Sequence, residues 1–305
     1  MQTVIEVREL NKSFNGQAVI SNANLQINKG EIYGFLGPNG SGKTTIMKIL
    51  LNLVKPTTGI VKVFGETLKE DDYTYLKRIG SMIEYPIFFD KMTAAENLAI
   101  HCEYVGFYDK QVIQETLEIV GLADVGDKRV TEFSLGMKQR LGIARAIITK
   151  PELLILDEPI NGLDPIGIKE IRELILKLSH EYGITVLISS HIVSEIEQIA
   201  DTIGVINHGK VLKEVRLSEI KAEMTAYLEL SVDQAEKASY ILAEKLGLKN
   251  FKVLDGQTIR IYEQTHAQSE INQVLVLNQI LVEKMEAKQN TLEDYFLNMI
   301  NGSGK

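Results

Sequence analysis

The chain has 305 residues, of which 45% are hydrophobic, with a formal net charge of −8 and a single cysteine, Cys102. That length predicts two domains, one cysteine excludes an internal disulfide, and the acidic balance argues against a nucleic-acid binder. No apolar stretch approaches the roughly 20 residues that span a bilayer, and Glu6, Arg8 and Glu9 stand where a signal peptide is apolar, so a soluble, cytosolic chain is expected.

In chain order, Thr3–Leu10, Asn24–Ile27 and Glu31–Leu36 read as short strands. The run Gly37-Pro38-Asn39-Gly40-Ser41-Gly42-Lys43-Thr44 follows, and Thr45–Leu53 reads as the helix it opens. This is a G-x-x-x-x-G-K-[ST] phosphate loop in its strand-to-helix context. Its glycines let several N–H groups converge on one concavity at the positive end of a helix, where a triphosphate binds. Lys43 adds a mobile cation for the outer phosphates, and the Thr44 hydroxyl is placed to ligate Mg²⁺. Ile79–Ile83 reads as a further strand, ending at Glu84.

Residues 85–150 change character. Thr93–Tyr104, Lys110–Val120 and Leu135–Thr149 read as helices, the first opened by the capping box Thr93-Ala94-Ala95-Glu96. This is a helical insertion between two halves of an α/β core. The core resumes at Leu153-Leu154-Ile155-Leu156, a continuous apolar run that suits a strand buried on both faces of a parallel sheet. Ile168–Glu181 reads as a helix, Thr185–Ser189 as a buried strand, Val193–Ala200 as a helix, and Thr202–Asn207 with Lys210–Val215 as a hairpin around His208-Gly209.

Beyond Leu217 the order becomes β-α-β-β-α-β: Tyr227–Val232, Gln234–Leu246, Asn250–Leu254, Thr258–Tyr262, Ser269–Asn278 and Ile280–Met285. That order predicts a small ferredoxin-like sandwich, closed by a last helix over Thr291–Ile300. The stripe Ile271, Val274, Leu275 and Leu277 reads as its core. The expected division is therefore 1–217 and 218–305.

Two carboxylates follow the apolar strand at Leu156. Asp157 is placed to hold Mg²⁺ beside the phosphate loop, and Glu158, one step on, to orient and deprotonate an attacking water. His191, at the end of the next buried strand, is placed to bond the γ-phosphate and keep Glu158 in line. Ser134 is a natural N-cap, and Gly136 leaves its N–H accessible at that helix start.

Phosphate loop, Ser134-Leu135-Gly136-Met137-Lys138-Gln139, Leu156-Asp157-Glu158-Pro159, Asn161-Gly162-Leu163-Asp164 and His191 occur in that order. From residue 2 to about 217 the chain resembles the nucleotide-binding subunit of an ATP-binding-cassette (ABC) transporter. The resemblance implies a P-loop ATPase core with a β subdomain and the helical insertion at about 85–150. It implies ATP and Mg²⁺ as cofactors, with Gly37 through Thr45 binding the nucleotide. It also implies a head-to-tail homodimer closed on ATP, with Ser134 and Gly136 of one copy meeting the γ-phosphate on the other. Asp164 would then carry contacts between the sites, and Phe14 would stack on adenine. The other reading of Phe14 is a core aromatic.

Two positions depart from the family pattern. Leu135 replaces a common glycine, and Glu84 stands where most members have a glutamine near Mg²⁺ and water. The glutamate variant, with Thr291-Leu292-Glu293-Asp294-Tyr295-Phe296 near the C-terminus, is similar to the ATPase subunits of bacitracin-resistance and lantibiotic-immunity exporters. The expectation is an ATPase, peripheral on the inner face of the membrane, that drives a separate permease through the segment Tyr85–Leu98 and exports a peptide antibiotic. The alternative is a soluble ABC ATPase that acts without a permease in repair, translation or assembly.

Overall fold

Apolar runs with no polar face need cover on both sides, and the parallel sheet that provides it forms the centre of the first unit. The computed structural model describes residues 2–69, 71–106, 109–223, 226–263, 265–289 and 291–302. By its contacts the chain divides into Met1–Leu217 with Met299–Lys305, and Ser218–Asn298.

The first unit begins with β1 (Thr3–Phe14), β2 (Gln17–Asn28), β3 (Ile32–Leu36), α1 (Lys43–Leu50), β4 (Thr58–Val63), β5 (Glu66–Thr67) and β6 (Ile79–Met82). The helices α2 (Ala94–Tyr104), α3 (Lys110–Ile119) and α4 (Leu135–Ile147) come next. The chain then returns through β7 (Leu153–Leu156), α5 (Pro165–His180), β8 (Thr185–Ser190), α6 (Val193–Ile196), β9 (Thr202–Asn207) and β10 (Lys210–Arg216).

A six-stranded sheet runs β10-β9-β3-β8-β7-β6. It is parallel except at its β10 edge. Every residue of β3, β7 and β8 is buried. A second, antiparallel sheet runs β2-β1-β4-β5. Ile5, Leu10 and Ile27 of that sheet share one apolar core with Ile46, Met47 and Leu50 of α1 and with Phe35, Ile155 and Leu187 of the parallel sheet. Packing α1 between the sheets fixes the phosphate loop at its N-terminus.

In the helical insertion, Thr93 Oγ1 accepts from Glu96 N–H at 3.2 Å and Glu96 Oε2 from Thr93 N–H at 2.8 Å. This capping box starts α2. Cys102, on α2, is buried.

Some elements differ from the sequence expectation. Strands β4 and β5 are additional to the expected elements: pairing of Ile5–Arg8 with Ile60–Val63 draws β4 into the sheet, and β5 pairs in turn with β4. The expected helix over Val193–Ala200 stops at Ile196, since the chain must turn to enter β9, where Asp201 Oδ2 accepts from Ile32 N–H at 2.9 Å. Helix α5 starts earlier than expected, at Pro165, a residue suited to a first helical turn because it has no N–H to leave unpaired.

After α7 (Leu217–Glu223), the rest of the chain runs β11 (Ala226–Val232), α8 (Ala235–Leu246), β12 (Phe251–Val253), β13 (Thr258–Ile261), α9 (Gln268–Leu277), β14 (Val282–Gln289) and α10 (Leu292–Gly302). Its antiparallel sheet has the order β12-β13-β11-β14. Leu230 and Ile259 pack there with Ala238 and Leu242 of α8 and with Ile271 and Leu275 of α9. Leu277 is 73% exposed and leaves the expected core stripe. Six residues beyond Ile271, at about 100° per residue, its side chain has rotated off the buried face.

Candidate active site at the strand ends

The C-terminal ends of β3, β7 and β8 meet at one edge of the sheet, where ligands gather in open α/β folds. The phosphate loop leaves β3 and needs glycine at defined points. At Gly37 a Cβ would lie 2.2 Å from the Ile206 carbonyl oxygen. At Gly42 φ is +110°, and a Cβ would lie 2.4 Å from Ile20. Both positions exclude a side chain, so the backbone follows the tight path that exposes its N–H groups.

Lys43 is buried, and its Nζ donates to the Gly37 carbonyl at 2.7 Å and to the Pro38 carbonyl at 3.2 Å. The same ammonium stands 3.2 Å from Glu158 Oε1. That approach is an ion pair without hydrogen-bond geometry, so Glu158 Oε1 is buried and lacks a hydrogen-bond donor. Ser41 Oγ is likewise buried and unpartnered. Buried polar atoms are almost always satisfied, so two such atoms here mark a site that a polar ligand completes.

The Thr44 hydroxyl donates to Asp157 Oδ2 at 2.7 Å. Asp157 is buried, and its other oxygen, Oδ1, accepts from Ser189 Oγ at 2.6 Å. Glu158 has φ +48°, a left-handed conformation that costs a non-glycine residue about 1–3 kcal/mol. Strain of that size is held where the surroundings over-determine it. Here Glu158 N–H donates to Ser189 Oγ at 2.9 Å, and the Glu158 carbonyl accepts from Asn161 N–H at 3.1 Å. The carboxylate reaches His191, with Nδ1 and Oε2 2.8 Å apart. A carboxylate only accepts, so Nδ1 carries the hydrogen in this pair and Nε2 is left for another partner.

The structure thus brings Lys43, Thr44, Asp157, Glu158 and His191 into one connected cluster. The other expected residues outside the phosphate loop lie apart from it, Gly136 among them in the first turn of α4. Ser134 caps α4, accepting from Met137 N–H at 3.2 Å, and Asp164 caps α5, accepting from Gly167 N–H at 2.9 Å. Phe14, at the end of β1, is 44% exposed with Lys12 Nζ 4.5 Å above its ring, so it is not a core aromatic. Glu84, at φ +61°, pairs with Lys48 at 2.7 Å and is not among the groups bonded to Thr44 or Asp157. The Lys48 ammonium holds the Glu84 carboxyl below the usual carboxylate range. Neither Lys48 nor Ser189 stood out in the sequence. The one available signal for Ser189 was a pair of serines closing a strand that is otherwise apolar after Thr185.

Residues 20–161 match the ABC transporter family model. An ABC transporter ATP-binding protein of Bacillus subtilis is 54% identical over 303 residues, covering 99% of each chain. The chain belongs to the ABC transporter ATP-binding proteins. A bacitracin transport ATP-binding protein of Enterococcus faecalis is 47% identical to this cassette protein over 304 residues, covering 100% of this chain and 98% of that protein. A solved dimeric cassette in a post-hydrolysis state, bound to ADP and phosphate, matches with a TM-score of 0.62 at 27% identity, covering 70% of this chain and 98% of the other. As a member of the family this ABC protein binds and hydrolyses ATP, and it works with a membrane permease. No helix among its described residues is long and apolar enough to cross a membrane.

Proposed function

We propose that this ATPase powers the export of a peptide antibiotic of the bacitracin or lantibiotic class through a separate permease. What supports the cargo is end-to-end likeness to a relative named for bacitracin transport. What supports the engine is one observation, the contact chain Lys43–Glu158–His191. The general base is already joined to the residue that binds phosphate on one side and to an imidazole on the other.

ATP enters with its phosphates on the N–H groups of the loop from Gly37 to Thr45, Lys43 on the outer phosphates and Phe14 against adenine. A triphosphate there competes with Glu158 for Lys43. Binding therefore frees the carboxylate to take a proton from water, while His191 holds it in line through Nδ1 and offers Nε2 to the γ-phosphate. The paired Thr44 hydroxyl and Asp157 carboxylate are hard oxygen donors, as Mg²⁺ prefers. Among the described residues no three His, Cys, Asp or Glu cluster to hold a metal alone, which suits an ion that also relies on substrate phosphates. Bound there, Mg²⁺ would neutralise charge on the phosphates.

Two copies close head to tail, each placing Ser134 and the Gly136 N–H on the γ-phosphate held by the other, with Asp164 joining the sites. Closure passes to the permease, at the inner face of the membrane, through Tyr85–Leu98, where Tyr85, Ile87 and Phe89 are exposed. We read residues 218–305 as an accessory domain of ferredoxin-like topology, supported by its β-α-β-β-α-β order and antiparallel sheet.

Growth inhibition by bacitracin and several lantibiotics tests the cargo, in cells carrying this chain with the permease encoded beside it. Wild type is expected to protect and Glu158→Gln to fail. No protection by wild type, with ATPase activity intact, removes the antibiotic from the reading. Phe14→Ala tests the adenine contact. It is expected to weaken ATP binding roughly 2- to 10-fold, the worth of one aromatic stacking contact, with an unchanged melting temperature. Unchanged affinity would remove Phe14 from the site.

A further inference from the structure

Ser189 makes two hydrogen bonds, and each reaches a different carboxylate residue of the site. Its Oγ–H donates to Asp157 Oδ1 at 2.6 Å, and its oxygen accepts from Glu158 N–H at 2.9 Å. The side chain is fully buried, so no water competes for either bond. The placement follows from the sheet. Strands β7 and β8 are parallel neighbours with Leu156 opposite Ile188, so Asp157 and Ser189 come next on each strand. The following residue, Ser190, uses its hydroxyl locally, accepting from Ile192 N–H at 3.0 Å beside His191.

These bonds divide the roles of the two carboxylates. With Oδ1 taken by Ser189 and Oδ2 by Thr44, the plane of the Asp157 carboxylate is fixed. The bond to Glu158 N–H clamps the peptide after Asp157 at the point where the backbone turns into its left-handed conformation. That turn carries the Glu158 side chain to within 2.8 Å of His191 and 3.2 Å of Lys43. A hydroxyl that is fully buried and fully used is the choice of a site that needs both carboxylates held.

We infer that Ser189 is a positioning residue for ATP hydrolysis: its hydroxyl sets the orientation of Asp157 and holds the strained backbone of Glu158. The inference rests on the roles proposed above for those two carboxylates. It predicts that Ser189 acts mainly on the chemical step and little on nucleotide binding, because its two side-chain hydrogen bonds go to Asp157 and Glu158 and not to the phosphate loop itself. Groups that orient first-contact ligands of this kind are commonly worth about 10- to 100-fold in activity.

The test compares Ser189→Ala, Ser189→Val and Ser189→Thr with wild type and with Glu158→Gln, all as full-length chains. Ser189→Ala is expected to lower kcat about 10- to 100-fold, with KM and the affinity for a fluorescent ATP analogue within twofold of wild type. Ser189→Thr restores kcat, and Ser189→Val, the same shape without the hydroxyl, does not. A second readout needs no turnover. In the nucleotide-free protein, amide hydrogen exchange in the peptide covering Asp157–Leu163 is expected to speed up in Ser189→Ala and to return to the wild-type rate in Ser189→Thr. A Ser189→Ala enzyme with kcat within twofold of wild type overturns the inference, as does exchange unchanged from wild type. So does equal recovery by valine and threonine. If Glu158→Gln itself turns over normally, it is the assignment of Glu158 that fails.

Discussion

Glu158→Gln is expected to cut ATP turnover by about 10²–10⁴-fold, the usual worth of a positioned general base, while leaving ATP binding intact. Glutamine has the same shape, and the left-handed backbone at this residue is held by Ser189 Oγ through the main-chain N–H, which the substitution keeps. What is lost is the capacity to accept a proton. A second effect follows from the ion pair with Lys43 at 3.2 Å. A neutral amide competes less well for that ammonium, so Lys43 is freer to meet phosphate and ATP affinity is expected to rise a few-fold. With hydrolysis blocked and binding favoured, closed pairs accumulate. Phosphate release, equilibrium nucleotide titration and light scattering with Mg-ATP measure the three effects separately. A variant that stays monomeric with Mg-ATP, or turns over within tenfold of wild type, removes Glu158 from the role of base.

The parts of this site that the sequence displays are those where chemistry restricts the residue type locally. Gly37 and Gly42 sit where no side chain fits, so glycine is visible as a pattern. Leu153–Leu156 is apolar because both faces are covered, and the carboxylates stand out against it. Thr93 and Glu96 form a box whose partners lie within one helical turn. Relations set by the meeting of distant segments were not legible. Ser189 gains its meaning only when β8 lies beside β7. Glu84 has no partner in its own stretch of sequence, and only the fold brings Lys48 to it. Strand β4 exists because β1 offers a free edge, a property of the partner rather than of residues 58–63. Leu277 is the opposite case: it is apolar, yet its position in the turn does not reach the buried face of its helix.

Lys43→Met is expected to cost about 10²–10³-fold in ATP hydrolysis, as removal of a preorganised donor to developing oxyanion charge does, and to weaken nucleotide binding in parallel. Its effect on stability discriminates further. In the nucleotide-free protein Lys43 serves the site by neutralising Glu158, whose Oε1 is buried without a hydrogen bond. Removing the cation leaves that oxygen with no counter-charge, at a cost of about 1–3 kcal/mol for an uncompensated buried acceptor. Removing the carboxylate charge as well should return most of that loss. Lys43→Met/Glu158→Gln is therefore expected to be more stable than Lys43→Met alone, yet equally unable to hydrolyse ATP. Thermal unfolding of the four proteins without nucleotide measures the coupling as a double-mutant cycle. Strict additivity would mean that Lys43 and Glu158 do not sense each other before ATP arrives. Competition between ATP and Glu158 for Lys43 would then drop out of the mechanism. A clear coupling would make nucleotide binding itself the event that releases the base, so that Glu158 is unpaired from Lys43 only when there is a phosphate for its water to attack.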